Sequence, residues 1–206
     1  MNETLMKQRE GIYRFLSCLY LWEVDGGQLE SMRKIAVPES CGVEAWDAGW
    51  SGLAEFLKEN DEKCLESLAV DYAYTFLAAG VAQGHTAFPY ESVYTDKYRQ
   101  LGGEADGAVS ALYAEKGLAP NDENFYVPAD HFGLELAFMA HICHSPKAEQ
   151  RAFFEKHIKG WSAELCRDVE KYAKTDFYKS VAKITAGFIE LESELMEKGV
   201  GIWDSN

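Results

Sequence analysis

Residues 132–143 read FGLELAFMAHIC, and this stretch decides the fold class. Its apolar side chains cover almost every face of a helix, with only one glutamate and one histidine among them. A helix without a polar face is buried on most sides by other elements. The stretch therefore predicts a central buried helix at about 130–144.

Apolar residues at helical spacing continue on both sides of this stretch. Two stripes are the clearest, and their members recur at steps of three or four: Trp46, Trp50, Leu53 and Leu57, then Cys64, Leu68, Tyr72 and Phe76. We find no sustained alternation with period two, the pattern that indicates strands. The sequence predicts an all-α fold, a single bundle of about ten helices that occupies residues 1–206 as one domain.

Local signals predict where several helices begin and end. Ser145 followed by Pro146 predicts an N-cap and a first helical position. Thr175 or Asp176 is expected to begin the last helix, and residues 92–101 to form a short helix. Residues 78–89 are small and glycine-bearing, which predicts a loop. That loop is long enough to act as a hinge if protomers exchange helices.

The charge balance narrows the classes of partner. The chain has 34 acidic and 20 basic residues, a formal net charge of −14. Such a field repels phosphate backbones and anionic lipids, and it attracts basic peptides. No basic stripe is visible, so nucleic-acid binding is not predicted. An acidic surface that only keeps the protein soluble would also explain the net charge of −14, without any basic partner.

The pattern of the five cysteines does not indicate a disulfide framework. They are odd in number and widely spaced without a CxxC, which argues against disulfides or a zinc knuckle. Four of them fall within helical patterns and are predicted to be small buried residues: Cys18, Cys64, Cys143 and Cys166. The sequence shows neither a signal peptide nor a membrane span, so we expect a cytoplasmic protein.

Catalytic and metal signatures are weak. His141 and His144 lie one turn apart, but a metal needs further converging ligands, and we predict neither a metal site nor a cofactor. Asp130 and His131 form the most interesting pair. Asp130 as a helix cap is the main interpretation, and binding or acid–base catalysis are alternatives.

Three segments, in this order along the chain, resemble the TorD/DmsD/NarJ family of redox-enzyme maturation chaperones. They are Asp71-Tyr72 with Phe76, then Pro89-Tyr90-Glu91-Ser92-Val93-Tyr94, then Val127-Pro128-Ala129-Asp130-His131 with Glu135-Leu136. Phe153, His157 and Trp161 also look like the family's C-terminal helices. One departure is Val127, which replaces the glutamate that the family carries before the proline.

The resemblance implies a cytoplasmic chaperone without catalytic activity. Such a chaperone binds the twin-arginine leader or the apo-form of a molybdopterin oxidoreductase precursor, aids cofactor insertion and prevents premature export. In the implied leader site, Asp130 pairs with an arginine of the leader. The implied site residues are Asp130, His131, Pro128, Tyr72, Phe76, Pro89, Tyr90 and Glu91.

Two other functions and two oligomeric states stay open at this point. A small hydrolase-like enzyme would use Asp130 and His131 as an acid–base pair. A stable assembly subunit would remain in the finished oxidoreductase. We expect a monomer, with a domain-swapped dimer as the alternative, and neither nucleic-acid binding nor membrane insertion.

Overall fold

The computed structural model describes residues 3–58, 63–119 and 126–198, and within these ranges the chain is helical without a strand. One isolated antiparallel bridge joins Tyr90 and His131. A 3-10 helix spans Val81–Gln83 and a π-helix spans Phe154–Lys159. The α-helices are α1 (Glu3–Leu21), α2 (Gly26–Met32), α3 (Glu44–Lys58), α4 (Cys64–Phe76), α5 (Glu91–Thr95), α6 (Glu104–Glu115), α7 (Phe132–Ile142), α8 (Lys147–Phe153), α9 (Ser162–Tyr172) and α10 (Asp176–Lys198).

These elements confirm the predicted all-α fold of about ten helices. The residues group into two compact units. Unit 1 contains the described residues up to Leu21 together with Pro89–Ser162, and unit 2 contains Trp22–Phe88 and the described residues from Ala163 onward. The single domain over 1–206 and the hinge at 78–89 stay predictions. None of the described helices is both long and apolar enough to cross a membrane.

Unit 1 is built around α7, the helix predicted to be central. Nine of its eleven residues are buried, so a helix with no polar side does pack on nearly all sides. Helix α1 runs against it at close range. A side chain at Gly133 would place its Cβ 2.5 Å from Leu21 Cγ and 3.0 Å from the Ser17 carbonyl oxygen. The Ser17 hydroxyl donates to the Gly133 carbonyl at 2.7 Å, which fixes the pair.

Unit 2 is held together by α3 and α10. These helices touch through glycines, because a Cβ at Gly49 would lie 2.6 Å from the Ile184 backbone nitrogen and one at Gly187 would overlap the Trp46 backbone. The predicted stripe of α4 is confirmed, since all four of its members are buried. The predicted stripe of α3 holds for its first three residues, which are buried as well.

Several boundary predictions were wrong. The helix expected at 92–101 ends at Thr95, because Asp96 takes an extended backbone. Pro146 is itself the N-cap of α8, one residue later than predicted. A π-helix, Phe154–Lys159, separates α8 from α9.

One burial prediction also failed. Cys18 is exposed, whereas Cys64, Cys143 and Cys166 are buried as predicted. On α1 the buried positions around it include Leu16, Ser17, Leu19 and Tyr20, and Cys18 points away from them.

Candidate functional site

Two of the motif segments, 89–94 and 128–131, lie side by side in unit 1. The backbone N–H of Glu91 donates to the Asp130 carbonyl at 2.9 Å, next to the isolated bridge. The backbone N–H of Phe132 returns the contact by donating to the Pro89 carbonyl at 2.7 Å. Main-chain bonds thereby join residues that lie 39 and 43 positions apart in the sequence.

Asp130 has a capping role different from the predicted one. Its Oδ2 accepts the backbone N–H of Ser92 at 2.9 Å, in the first turn of α5, while the N-cap of α7 is His131. The carboxylate thus stabilises the start of α5 instead of α7. Burial raises the pKa of Asp130, against hydrogen bonds from Ser92 that lower it. The side chain is 0% exposed.

His131 is held as a neutral acceptor. Its Nδ1 accepts the backbone N–H of Gly133 at 3.1 Å, which requires an unprotonated nitrogen at that position. Burial lowers the pKa of His131 to about 3. The ring of Tyr90 meets the imidazole edge-on, with centroids 4.9 Å apart. The imidazole is therefore uncharged at neutral pH.

The residues implied as a leader site divide between the two units. Tyr72 and Phe76 belong to unit 2, where both are buried and their rings pack against Tyr178 at 6.0 and 5.5 Å. The other six belong to unit 1. Of these, Pro128 and Tyr90 are half-buried, while Pro89, Glu91, Asp130 and His131 are buried. Convergence of all eight in one cleft stays a prediction.

Unit 1 also carries an apolar surface groove that the sequence did not reveal. Its volume is about 260 Å³. The Tyr113 hydroxyl donates to the Ala129 carbonyl at 3.1 Å, which ties the groove to the 128–131 segment. The lining residues come from α1, α6, the residues after α6, and α7: Arg14, Tyr113, Leu118, Ala119, Leu134, Ala137, Phe138 and His141.

A second feature missed by sequence reasoning is a buried polar cluster. Glu91 on α5, Glu135 on α7 and His157 in the π-helix each place one ligand-type atom within 4.8 Å of the others. Nδ1 of His157 lies 2.8 Å from Oε2 of Glu91. Burial, followed by the charge of Glu91, raises the pKa of Glu135 well above its usual range. Three distant segments form the cluster, so no local spacing signals it.

In unit 2, the Asp71 of the first motif segment is a structural anchor. Its Oδ2 accepts both the backbone N–H and the hydroxyl of Thr175, at 2.7 and 2.6 Å. Its Oδ1 accepts the backbone N–H of Lys174 at 2.9 Å and the hydroxyl of Thr75 at 3.0 Å. Asp71 therefore holds the chain where α10 begins.

In its described residues this is an all-helical protein whose motif residues are mostly buried, with an apolar surface groove beside the 128–131 segment. Comparison with known proteins then gives the family. The model of the family described as "Nitrate reductase delta subunit" matches residues 41–167, more than half of the chain. The chain belongs to this family, which is the TorD/DmsD/NarJ family of redox-enzyme maturation chaperones.

Individual relatives agree with this assignment. The chaperone protein TorD of Shewanella pealeana is 29% identical over 92% of this chain and 90% of its own. TorD of Shewanella oneidensis is 28% identical over 97% of this chain and 95% of its own length. A solved structure of a redox enzyme maturation protein from Archaeoglobus fulgidus shares the fold, with a TM-score of 0.57 and 24% identity over 88% of this chain and 93% of that one.

Proposed function

We propose that this protein is a cytoplasmic chaperone that binds the twin-arginine leader of a molybdopterin oxidoreductase precursor. It holds the precursor while the cofactor is inserted and prevents premature export. The observation that carries the proposal is the apolar groove of unit 1, attached to the motif segments of the family. The relatives named TorD support the chaperone class.

The groove suits the apolar middle of a leader. Leu118, Leu134 and Phe138 offer apolar surface, and Ala137 leaves room between them on α7. An apolar helix or extended segment is typically recognised by such a groove. Burial of apolar area supplies the affinity, at about 25 cal/mol per Å² before the entropic cost of association.

The charge of the chain suits the basic end of a leader. A net charge of −14 attracts two consecutive arginines and raises the association rate. Glu10 lies near this groove, since its carboxylate pairs at 2.8 Å with Arg14, a lining residue. An arginine of the leader could take the place of Arg14, so that Glu10 keeps a positively charged partner.

The buried motif residues have a supporting role in this proposal. Asp130 is 0% exposed, so it positions α5 and the 128–131 segment instead of contacting the leader. His131 positions the start of α7, because its Nδ1 accepts the backbone N–H of Gly133. The half-buried Tyr90 and Pro128 are the motif residues that reach the surface.

The burial of the same pair weighs against the enzyme alternative. A general base needs a free nitrogen or oxygen that reaches the substrate. His131 uses Nδ1 for the α7 cap and is 5% exposed. Asp130 and His131 therefore stabilise the fold, and a substrate has little access to their side chains.

Co-purification tests the function and separates the chaperone from the assembly subunit. The tagged chain is expressed with a molybdopterin oxidoreductase precursor from the same organism, with and without its leader. We expect the intact precursor to be retained, the leaderless form to be retained less, and the cofactor-loaded enzyme to be released. Stoichiometric retention of the finished enzyme indicates an assembly subunit and contradicts the proposal.

A further inference from the structure

We propose that Glu91, Glu135 and His157 form a binding site for one divalent transition-metal cation. The proposal is independent of leader binding. It starts from the geometry of unit 1, where three elements bring one ligand-type atom each within 4.8 Å of one another. Bonds of about 2.1 Å to a central ion set its ligands roughly 3–4 Å apart, so small side-chain shifts suffice.

The unpaired atoms of the cluster point to a ligand. Neither carboxylate oxygen of Glu135 accepts a hydrogen bond from an N–H or hydroxyl group of the described residues, and its side-chain partner is a second carboxyl, that of Glu91. The Glu135 side chain is 0% exposed. Nε2 of His157 lacks a partner in the same part of the chain, at 1% exposure. Buried polar atoms are normally paired, because an unpaired one costs about 1–3 kcal/mol. A cation held by the two carboxylates and one nitrogen of His157 would replace the proton between the carboxyl groups and give Glu135 a partner of opposite charge.

The donor set selects the class of cation. One imidazole nitrogen with two carboxylates suits zinc, manganese, iron or cobalt, whereas calcium and magnesium favour oxygen ligands alone. Two carboxylates also balance the charge of a divalent ion. Asp130 lies close enough to add to the negative potential at Glu135.

A neighbouring cavity and a local distortion accompany the cluster. Glu91 and His157 are among the residues that line a surface cavity of about 390 Å³, so the cluster lies close to the surface on that side. His157 lies in the π-helix Phe154–Lys159. Insertion of one residue into a helix re-aims the side chains that follow, and such segments are frequent at functional sites. In this π-helix His157 faces Glu91, with its Nδ1 2.8 Å from Oε2 of Glu91.

Cobalt(II) titration of the full chain tests the site, with EDTA-treated protein and visible absorption as the readout. We expect one cobalt ion per chain, with a ligand-field spectrum of nitrogen and oxygen ligation and without a thiolate charge-transfer band. Glu135→Gln should weaken binding at least about tenfold. Glutamine has the shape of a protonated carboxyl, so this variant should fold. Glu91→Gln is a second variant, because its amide oxygen still accepts a hydrogen bond from His157.

The matched control is His141→Gln with His144→Gln. It removes two exposed histidines that lie one turn apart and could collect cobalt at the surface. The control should bind cobalt as the unmodified chain does. Three results overturn the proposal: no stoichiometric cobalt binding, unchanged binding in both glutamate variants, or loss of binding in the histidine control.

Discussion

Ser92 donates its backbone N–H to Oδ2 of Asp130 across 38 positions of the sequence. This bond joins two motif segments of the family and gives the most recognisable acidic residue a capping role. Because Asp130 is also fully buried, its function is tied to the shape of unit 1. The proposed binding of a leader therefore depends on surfaces that such buried residues hold in place.

Replacement of Asp130 separates its acceptor role from its charge. Asp130→Ala should lower the free energy of unfolding by about 1–3 kcal/mol, because the Ser92 N–H is left unpaired. Asp130→Asn keeps an acceptor oxygen and should stay within about 1 kcal/mol of the unmodified chain. Urea unfolding measures both. Asparagine as damaging as alanine would show that the charge, and not the cap, is what matters.

The neutral state of His131 predicts a loss of stability in acid. Its folded-state pKa of about 3 lies below the unfolded value of 6.5, so the unfolded chain alone takes up the proton between these values. Stability should fall as the pH drops through this window, by up to about 1.4 kcal/mol per pH unit. The raised pKa of Asp130 acts with the opposite sign, since protonation there favours the folded state.

Unfolding by urea at several pH values between 7.5 and 4.5 checks this dependence in His131→Asn. Asparagine is a good N-cap and retains an acceptor for Gly133, but it does not titrate. We expect a shallower pH dependence than in the unmodified chain, while the exposed control His141→Asn keeps the original slope. Equal slopes in all three proteins would contradict a buried neutral imidazole.

The close packing of α1 on α7 predicts opposite effects for two glycines. Gly133→Ala should destabilise unit 1 by about 1–3 kcal/mol, because the new methyl meets Leu21 and Ser17. Gly11→Ala lies on α1 with nothing within 4 Å of its Cβ, and should stabilise by about 0.5–1 kcal/mol. Thermal unfolding measures whether each substitution lowers or raises the stability. A harmless Gly133→Ala would mean that the helices do not approach as described.

The anchor at Asp71 predicts a large loss from a single substitution. Asp71→Ala leaves the N–H groups of Lys174 and Thr175 without their acceptor, so we expect a loss of about 3 kcal/mol or more. The exposed control Asp176→Ala removes only a surface pair with Lys179 and should cost less than about 1 kcal/mol. Similar losses in chemical denaturation would remove Asp71 as an anchor.

Periodicity alone predicted much of the fold, for physical reasons that particular helices illustrate. Helix α7 carries almost no polar side chains, which predicts burial on most sides, and the stripe of α4 repeats every four residues. Boundaries depended on finer effects. No local pattern indicates that Asp96 leaves the helix or that a π-helix begins at Phe154.

The candidate sites were less predictable, because they are assembled from distant segments. The metal cluster combines Glu91, Glu135 and His157, and no spacing between them matches a ligand motif. Asp130 was expected to cap the nearest helix and instead caps one that begins 39 residues earlier, at Glu91. A pattern that reads neighbours along the chain cannot locate contacts of this kind.

The most direct test of leader binding in the groove is a calorimetric titration with a synthetic peptide that carries two consecutive arginines followed by an apolar stretch. Ala137→Gln fills the groove without a change of charge, and Ala111→Gln makes the same change at an exposed position of α6. We predict binding by the unmodified chain and by Ala111→Gln, with affinity lost by about tenfold or more, about 1.4 kcal/mol, in Ala137→Gln. Equal affinities in all three proteins, or no binding by the unmodified chain, would contradict a leader site in this groove.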